Sequence, residues 1–240
     1  MKYVGSKQRI AKYIVPVIQT EIENTGTSIY IEPFVGGANI IDKIQAKHRF
    51  GSDKSAELIA LLKAARDGVE FPETVTKEEY DEARVHPEKF PKWFVALAGF
   101  CASYNSKYFG GYANRVKTKI GTIRNYTDEA IRNIEKQREH LKGCTFMCCD
   151  YTDWSGTTGA VIYCDPPYKG TIDYMTGAFD SDSFFEWCRQ MAKANIVYVS
   201  EYNAPDDFEI VAEIGLATSL DKKQKIGRTE RLFRVKGGQA

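Results

Sequence analysis

The 240-residue chain carries almost no net charge, with 33 basic against 32 acidic residues. That balance argues against a protein that coats nucleic acid through a uniform positive field. No apolar run reaches 18 residues and no secretory signal is evident, which argues against a membrane span and for a soluble, cytoplasmic protein. The Gly-x-Gly-x-x-Gly pattern of dinucleotide folds is missing, so NAD and FAD are not expected. Histidine is scarce, three in all, and the six cysteines lie mostly inside apolar runs. Cys144, Cys148 and Cys149 form the one cluster; it alternates as a strand does, and the nearest histidine is His140. Free thiols in a reducing compartment are therefore expected, and no metal site. There is no internal repeat and no long linker.

Apolar residues make up 43% of the chain, enough for a sizeable core. The length suits one large α/β domain or one domain with an insertion. The most informative stretch is Val161-Ile-Tyr-Cys-Asp-Pro-Pro-Tyr168. Its apolar, β-rich start reads as a buried strand. Pro166 and Pro167 end it, because neither can donate to a sheet ladder. An acid, two rigid carbonyls and an aromatic ring thus sit at the carboxyl end of a strand, the edge where open α/β sheets bind ligands. The Asp165 carboxylate and the Pro166 carbonyl can each accept one N–H of an exocyclic amine and so aim its lone pair. Tyr168 offers a face for a heterocyclic base. Prolines, Pro167 included, fix this geometry in advance.

Other predicted strands end in the same way. Ser28 to Ile31 leads into Glu32-Pro33-Phe34-Val35-Gly36-Gly37, where paired glycines let a ligand approach the backbone. A helix is expected from Ala38 to Ala46. A strand from His48 to Gly51 leads to Asp53, placed to bind ribose hydroxyls, to cap the helix Ser55 to Arg66, or both. Cys144 to Cys149 ends at Asp150-Tyr151, an acid able to bond an adenine amine beside a ring able to pack on it. At the N-terminal end, Ser6 is expected to cap a helix whose apolar face includes Ile10, Ile14 and Ile22. Later strands are expected at Ile196 to Ser200, Phe208 to Ile214 and Arg231 to Val235, the last two partly antiparallel. A helix is expected from Ser181 to Ala194.

Between Asp67 and Leu141 the character changes. Helices are expected at Thr76 to Val85, Lys92 to Ala102 and Asp128 to Leu141. From Ser103 to Tyr126 there are five basic residues, Lys107, Arg115, Lys117, Lys119 and Arg124, and no acid. Tyr104, Tyr108, Phe109, Tyr112 and Tyr126 are threaded among them. Basic residues pair with phosphates and aromatics stack at bases, while Asn105, Asn114 and Arg115 could read base edges. A solvated basic hairpin is the bland alternative. Lys222, Lys223, Lys225 and Arg228 form a second basic cluster, for which a solvated loop is adequate.

The ordered set Lys2-Tyr-Val-Gly-Ser-Lys7, Glu32-Pro-Phe-Val-Gly-Gly37 and Asp165-Pro-Pro-Tyr168 resembles the DNA adenine N6-methyltransferases of the Dam-like group, D12 class, alpha group. Ser200-Glu-Tyr-Asn-Ala-Pro205 and Thr229-Glu-Arg-Leu-Phe233 are similar to the later motifs of that family. The resemblance implies a Rossmann-like α/β methyltransferase fold, a seven-stranded and mostly parallel sheet with one antiparallel strand. It implies a catalytic and cofactor domain at 1–66 and 143–240, with a small, mainly helical DNA-recognition insert at 67–142. It implies S-adenosylmethionine as cofactor, S-adenosylhomocysteine as product and no metal. Tyr3, Lys7, Glu32, Phe34, Gly36, Asp53, Asp150, Tyr151 and Asp165 would hold the cofactor. Asp165, Pro166, Pro167 and Tyr168 would carry the transfer to N6 of an adenine flipped from duplex DNA. Asn105, Lys107, Tyr108, Tyr112, Asn114, Arg115, Lys117, Lys119 and Arg124 would bind DNA.

A monomer in a bacterial or phage-infected cell is expected, acting alone or in restriction-modification. Family members that methylate GATC carry a Phe-Asn-Val-Pro-Phe-Gly-like hairpin, where this chain has Tyr104-Asn-Ser-Lys-Tyr-Phe-Gly-Gly-Tyr-Ala113. GATC specificity therefore does not follow from the resemblance. Rival readings are transfer to cytosine N4, to an RNA adenine or to a protein glutamine, and a non-catalytic DNA-binding relative. Relatives acting on those other amines more often carry Ser or Asn in place of Asp165.

Overall fold

The computed structural model describes residues 1, 3–113, 115–117, 120–167, 179–215 and 229–237, with the backbone alone at 115–117 and 124. In chain order the elements are α1 (Ala11–Thr25), β1 (Ile29–Glu32), β2 (His48–Asp53), α2 (Ala56–Arg66), α3 (Lys77–Val85) and α4 (Lys92–Ala96). There follow β3 (Arg115–Lys117), β4 (Ile123–Asn125), α5 (Tyr126–Leu141), β5 (Cys144–Cys148) and β6 (Ala160–Cys164). The last are α6 (Ser181–Met191), β7 (Ile196–Glu201), β8 (Phe208–Gly215) and β9 (Thr229–Val235).

Seven strands form one sheet in the order β5-β2-β1-β6-β7-β9-β8, and β3 and β4 form a separate antiparallel hairpin. β1 runs parallel to β2 and β6, and β6 parallel to β7; β9 is antiparallel to both its neighbours. The expected mostly parallel seven-stranded α/β sheet is therefore present. The described residues fall into two compact units. One comprises Met1–Arg9, Val35–Lys43 and Ser52–Cys149, the other Ile10–Phe34, Ile44–Gly51 and Asp150–Ala240.

In the second unit, alternation along the strands decides which helix covers which face. Ile31, Ile162, Cys164, Val197 and Val199 pack with Phe184, Cys188 and Met191 of α6. Burying each large side chain there contributes ~1.5–3 kcal/mol. On α1, Ile14, Ile18 and Ile22 are buried at helical spacing, and Glu21 accepts hydrogen bonds from the Tyr198 hydroxyl (2.5 Å) and Arg234 (3.0 Å). In the first unit, α2 buries Leu58, Leu61, Leu62 and Ala65, and α5 buries Ala130, Ile131, Ile134 and Leu141.

Several elements differ from the sequence reading. No helix spans 38 to 46; a single 3-10 turn, Ile41–Lys43, stands there. Ala38 sits at φ 54°, which no α-helix tolerates, and the Asn39 amide donates to the Met1 carbonyl and to Ser6 Oγ. Ser6 does not cap α1. Its hydroxyl accepts from the Gln8 N–H inside a short 3-10 turn, and Ile10 precedes the helix without a side-chain cap. The helix expected at Lys92 to Ala102 divides into α4 and a π turn, Leu97–Cys101. α5 starts two residues early, because the Asn125 side chain caps it by accepting from the Asp128 N–H. Thr76 caps α3 in a reciprocal capping box with Glu79, and Ser55 caps α2. All six cysteines are free, Cys148 is exposed, and Cys101, Cys144, Cys164 and Cys188 are buried. No helix among the described residues is long and apolar enough to cross a membrane.

Candidate active site

Within the second unit, strand order reverses between β1 and β6. β2 lies on the far side of β1 and β7 on the far side of β6. In open α/β sheets the crevice outside the carboxyl ends of such a pair takes the ligand. Ile31 is level with Ile162, so Glu32 ends β1 level with Tyr163, two residues before Asp165. Both strands are stopped by acid and proline. Glu32 is only 2% exposed, and its Oε1 accepts from the Tyr30 hydroxyl at 2.6 Å. Asp165 is half-buried, Pro166 buried and Pro167 half-buried; Tyr168 lies outside the described residues.

Two residues before Asp165, on the same face of β6, the Tyr163 hydroxyl shares a 2.8 Å hydrogen bond with Ser200 Oγ. Burial pushes the Tyr163 phenol well above its ordinary range, and the charge of Asp165 pushes it further. Tyr163 therefore stays a neutral hydroxyl beneath the acid. Glu201 and Glu230 are also buried, 6% and 4% exposed. Sequence reading passed over Tyr163 as part of an apolar run. Its hydroxyl gains a partner only through register, which sets Tyr163 level with Tyr198, two residues before Ser200 on β7.

Phe34 and Tyr151 stack on each other, with ring centroids 5.5 Å apart and planes at 28°. Phe34 also meets Phe179 and Phe184 edge-on, and Tyr151 meets Trp187 at 5.2 Å. Burial raises the Tyr151 phenol pKa. Asp150 caps the 3-10 turn Tyr151–Trp154: its Oδ1 accepts from the Thr152 N–H (2.9 Å) and hydroxyl (2.7 Å). These carboxylates and rings form an acceptor-rich, aromatic donor set. It suits a ligand with amines, hydroxyls, a flat heterocycle and positive charge, which fits S-adenosylmethionine.

In the first unit, the glycine turn is built around the chain's first residues. Gly36 has φ 46°, and a Cβ there would lie 3.1 Å from Tyr3 Cε1. A Cβ on Gly37 would lie 2.7 Å from Asn39 Nδ2 and 3.1 Å from the Met1 carbonyl oxygen. So these glycines admit the Met1–Tyr3 segment, a reason for them that the sequence alone did not reveal. Asp53 does not cap α2, where Ser55 does; its Oδ2 accepts from the Gly36 N–H (3.3 Å) and its Oδ1 from the Ser55 N–H (3.0 Å), which ties the glycine turn to the start of the helix. Tyr3 packs against Phe100 at 5.2 Å, and Lys7 is 7% exposed with Nζ 3.4 Å from the Gly5 carbonyl. Gly36→Ala should cost about 1–3 kcal/mol through positive φ and crowding against Tyr3. Thermal melting checks it, and an unchanged melting temperature would contradict this role for the glycine.

Among the residues expected to bind DNA, Asn105 and Lys107 are exposed. Tyr108 packs between Phe100 (4.8 Å) and Phe109 (4.7 Å), and burial raises its pKa to about 12. Tyr112 donates its hydroxyl proton to the Val75 carbonyl at 2.8 Å. Both rings are half-buried and hold their own turn together. A Cβ on Gly99 would lie 2.5 Å from Tyr108, so that ring sits directly on the π turn. Arg115, Lys117 and Arg124 belong to the β3–β4 hairpin, whose Ile120 and Ile123 are 85% and 69% exposed. Asn114, Lys119, residues 169–178 and the cluster Lys222, Lys223, Lys225 and Arg228 lie outside the described residues. No group of His, Cys, Asp and Glu able to hold a metal occurs among the described residues.

An open α/β sheet with two acid-proline strand ends at its reversal point has the arrangement at which folds of this class take their ligands. Comparison with known proteins gives the particular family. Residues 3–225 match the model of the D12 class N6 adenine-specific DNA methyltransferases, and the chain belongs to that family. It is 24% identical over 202 residues to the Type II methyltransferase M.MjaIII of Methanocaldococcus jannaschii, covering 70% of this chain and 68% of the relative. Among solved structures, the rRNA methyltransferase AviRa of Streptomyces viridochromogenes aligns over 95% of this chain and 84% of its own. Its TM-score is 0.45 at 15% identity, a similarity too low to carry weight.

Proposed function

We propose that the chain moves a methyl group from S-adenosylmethionine to N6 of an adenine flipped out of duplex DNA. The observation that supports this most is the half-buried Asp165, fixed by Pro166 and Pro167 at the end of β6 beside the buried Glu32 of β1. When bound, S-adenosylmethionine supplies a methyl group made electrophilic by its positive sulfur. The chain's own residues position and shield. Asp165 accepts one N–H of the adenine amine and the Pro166 carbonyl the other, which turns the nitrogen lone pair outward. Pro167 holds that carbonyl in place, and Tyr168 stacks on the extruded base. Tyr3, Lys7, Glu32, Phe34, Gly36, Asp53, Asp150 and Tyr151, together with Asp165, hold the cofactor through carboxylate, amide and ring contacts. Residues 67–142 act as the DNA-recognition insert. There Lys107, Arg115, Lys117, Lys119 and Arg124 meet phosphates, while Asn105, Tyr108, Tyr112 and Asn114 complete the surface that faces the DNA.

Extrusion of the base is directly observable. With 2-aminopurine in place of the target adenine, binding should raise fluorescence several-fold as the base leaves the stack. The signal should persist in Asp165→Ala, which orients the amine but does not open the duplex. Tight, salt-dependent binding without any fluorescence rise would remove base flipping from the reading.

A further inference from the structure

The first unit carries a pocket of about 360 Å³, walled by the short Lys7–Arg9 turn and the Ser103–Ser106 turn. That volume is at the lower end of small-ligand sites, about 300–1,000 Å³. Its lining is rich in donors. Arg9 brings a guanidinium, Gln8 and Asn105 bring amides, Ser106 brings a hydroxyl, and no Asp or Glu takes part. Among the described residues, no hydrogen bond or ion pair engages these four side chains. Tyr3, Ser6, Cys101 and Tyr126 complete the wall. Asn105 and Ser106 stand at φ 53° and 54°, a left-handed pair without glycine. Each such residue costs of order 1–3 kcal/mol, and strain of this kind gathers at ligand clamps.

We infer that this pocket holds one phosphodiester group of the DNA backbone, gripped by Arg9 and bonded by Ser106 and the amides of Gln8 and Asn105. The inference rests on the DNA reading above and adds Gln8, Arg9 and Ser106 to it. A guanidinium with neighbouring neutral donors and no acid matches an anion with several acceptor oxygens. A single anchored phosphate fixes the register of the duplex without reading sequence.

The test is the salt dependence of duplex binding by the full chain, followed by fluorescence anisotropy on a short DNA duplex. Wild type is compared with Arg9→Gln, with Arg9→Lys, and with Lys193→Gln as a control for lost charge on an exposed surface outside the pocket and outside the insert. Losing one phosphate contact should lower the slope of log affinity against log salt by about 0.9. Arg9→Gln should show that loss, Arg9→Lys should restore most of it, and Lys193→Gln should keep the wild-type slope. Binding of S-adenosylmethionine should be the same in all four. An unchanged slope in Arg9→Gln, or an equal loss in Lys193→Gln, would overturn the phosphate site. So would loss of S-adenosylmethionine binding in Arg9→Gln, which would make the pocket part of the cofactor's site. If wild type neither binds duplex in a salt-dependent way nor methylates it, the DNA reading itself fails, an outcome distinct from a slope that Arg9 does not move.

Discussion

Asp165→Ala should lower methyl transfer by about a hundredfold to a thousandfold, while changing S-adenosylmethionine affinity by no more than about tenfold. The carboxylate's proposed work is to orient an amine, so its removal acts on the reacting nitrogen. Loss of one preorganised hydrogen-bonding group at a reacting centre typically costs 10²–10³ in rate, about 3–4 kcal/mol. Asp165 also leaves behind a rigid Pro166-Pro167 segment, which cannot move in to replace it. The fold should survive, because Asp165 is half-buried and follows a strand whose five residues are all buried. Single-turnover methylation measures the first quantity and isothermal calorimetry the second. Retention of a tenth or more of the wild-type rate would show that the amine is held by other groups.

Gln137→Leu should lower the melting temperature by about 6–12 °C. Gln137 lies on α5 and is 6% exposed. Its Nε2 faces the carbonyls of Gly37 (3.2 Å) and Ala38 (2.7 Å) and Asp42 Oδ2 (2.9 Å), and its Oε1 accepts from the Met1 nitrogen at 2.5 Å. Leucine matches the shape but pairs with none of these groups. A buried acceptor left unpaired costs about 1–3 kcal/mol, and more if charged. Taken together, a loss of about 3 kcal/mol is expected, at about 2–4 °C per kcal/mol for a chain of this size. Because the same glutamine supports the Gly36–Gly37 turn and Asp42 in one unit, S-adenosylmethionine binding should weaken with it. Calorimetric melting checks the stability; a shift under 2 °C would show that water or rearranged side chains satisfy the turn.

Much of the fold was legible because its punctuation is chemical. Acid-proline pairs mark the ends of β1 and β6, and Ser55 and Thr76 announce the helices they cap. The final antiparallel strand β9 could be placed because its apolar residues alternate. Other features depended on partners far away in sequence. Gly36 and Gly37 looked like a turn left open for a ligand, yet the Met1–Tyr3 segment is what a Cβ there would strike. The helix expected from Ala38 fails because Asn39 is drawn to Met1 and Ser6, a tertiary demand that outweighs propensity. Gln137 reads as an ordinary polar residue on a helix until its four partners are known. Tyr108 and Tyr112 were legible as rings threaded among basic residues; the packing of Tyr108 on Phe100 and the Tyr112 hydrogen bond to the Val75 carbonyl were not. At the site the strand-terminal acids were legible one by one. The hydroxyls of Tyr30 and Tyr163 that sit among them follow only from strand register.

The most direct test is methyl transfer to unmethylated plasmid DNA from S-adenosylmethionine, mapped by single-molecule sequencing with Asp165→Ala alongside. The account predicts N6-methyladenine confined to one short motif and absent in the variant. Methylation at cytosine N4, or none on DNA despite measurable cofactor binding, would contradict it.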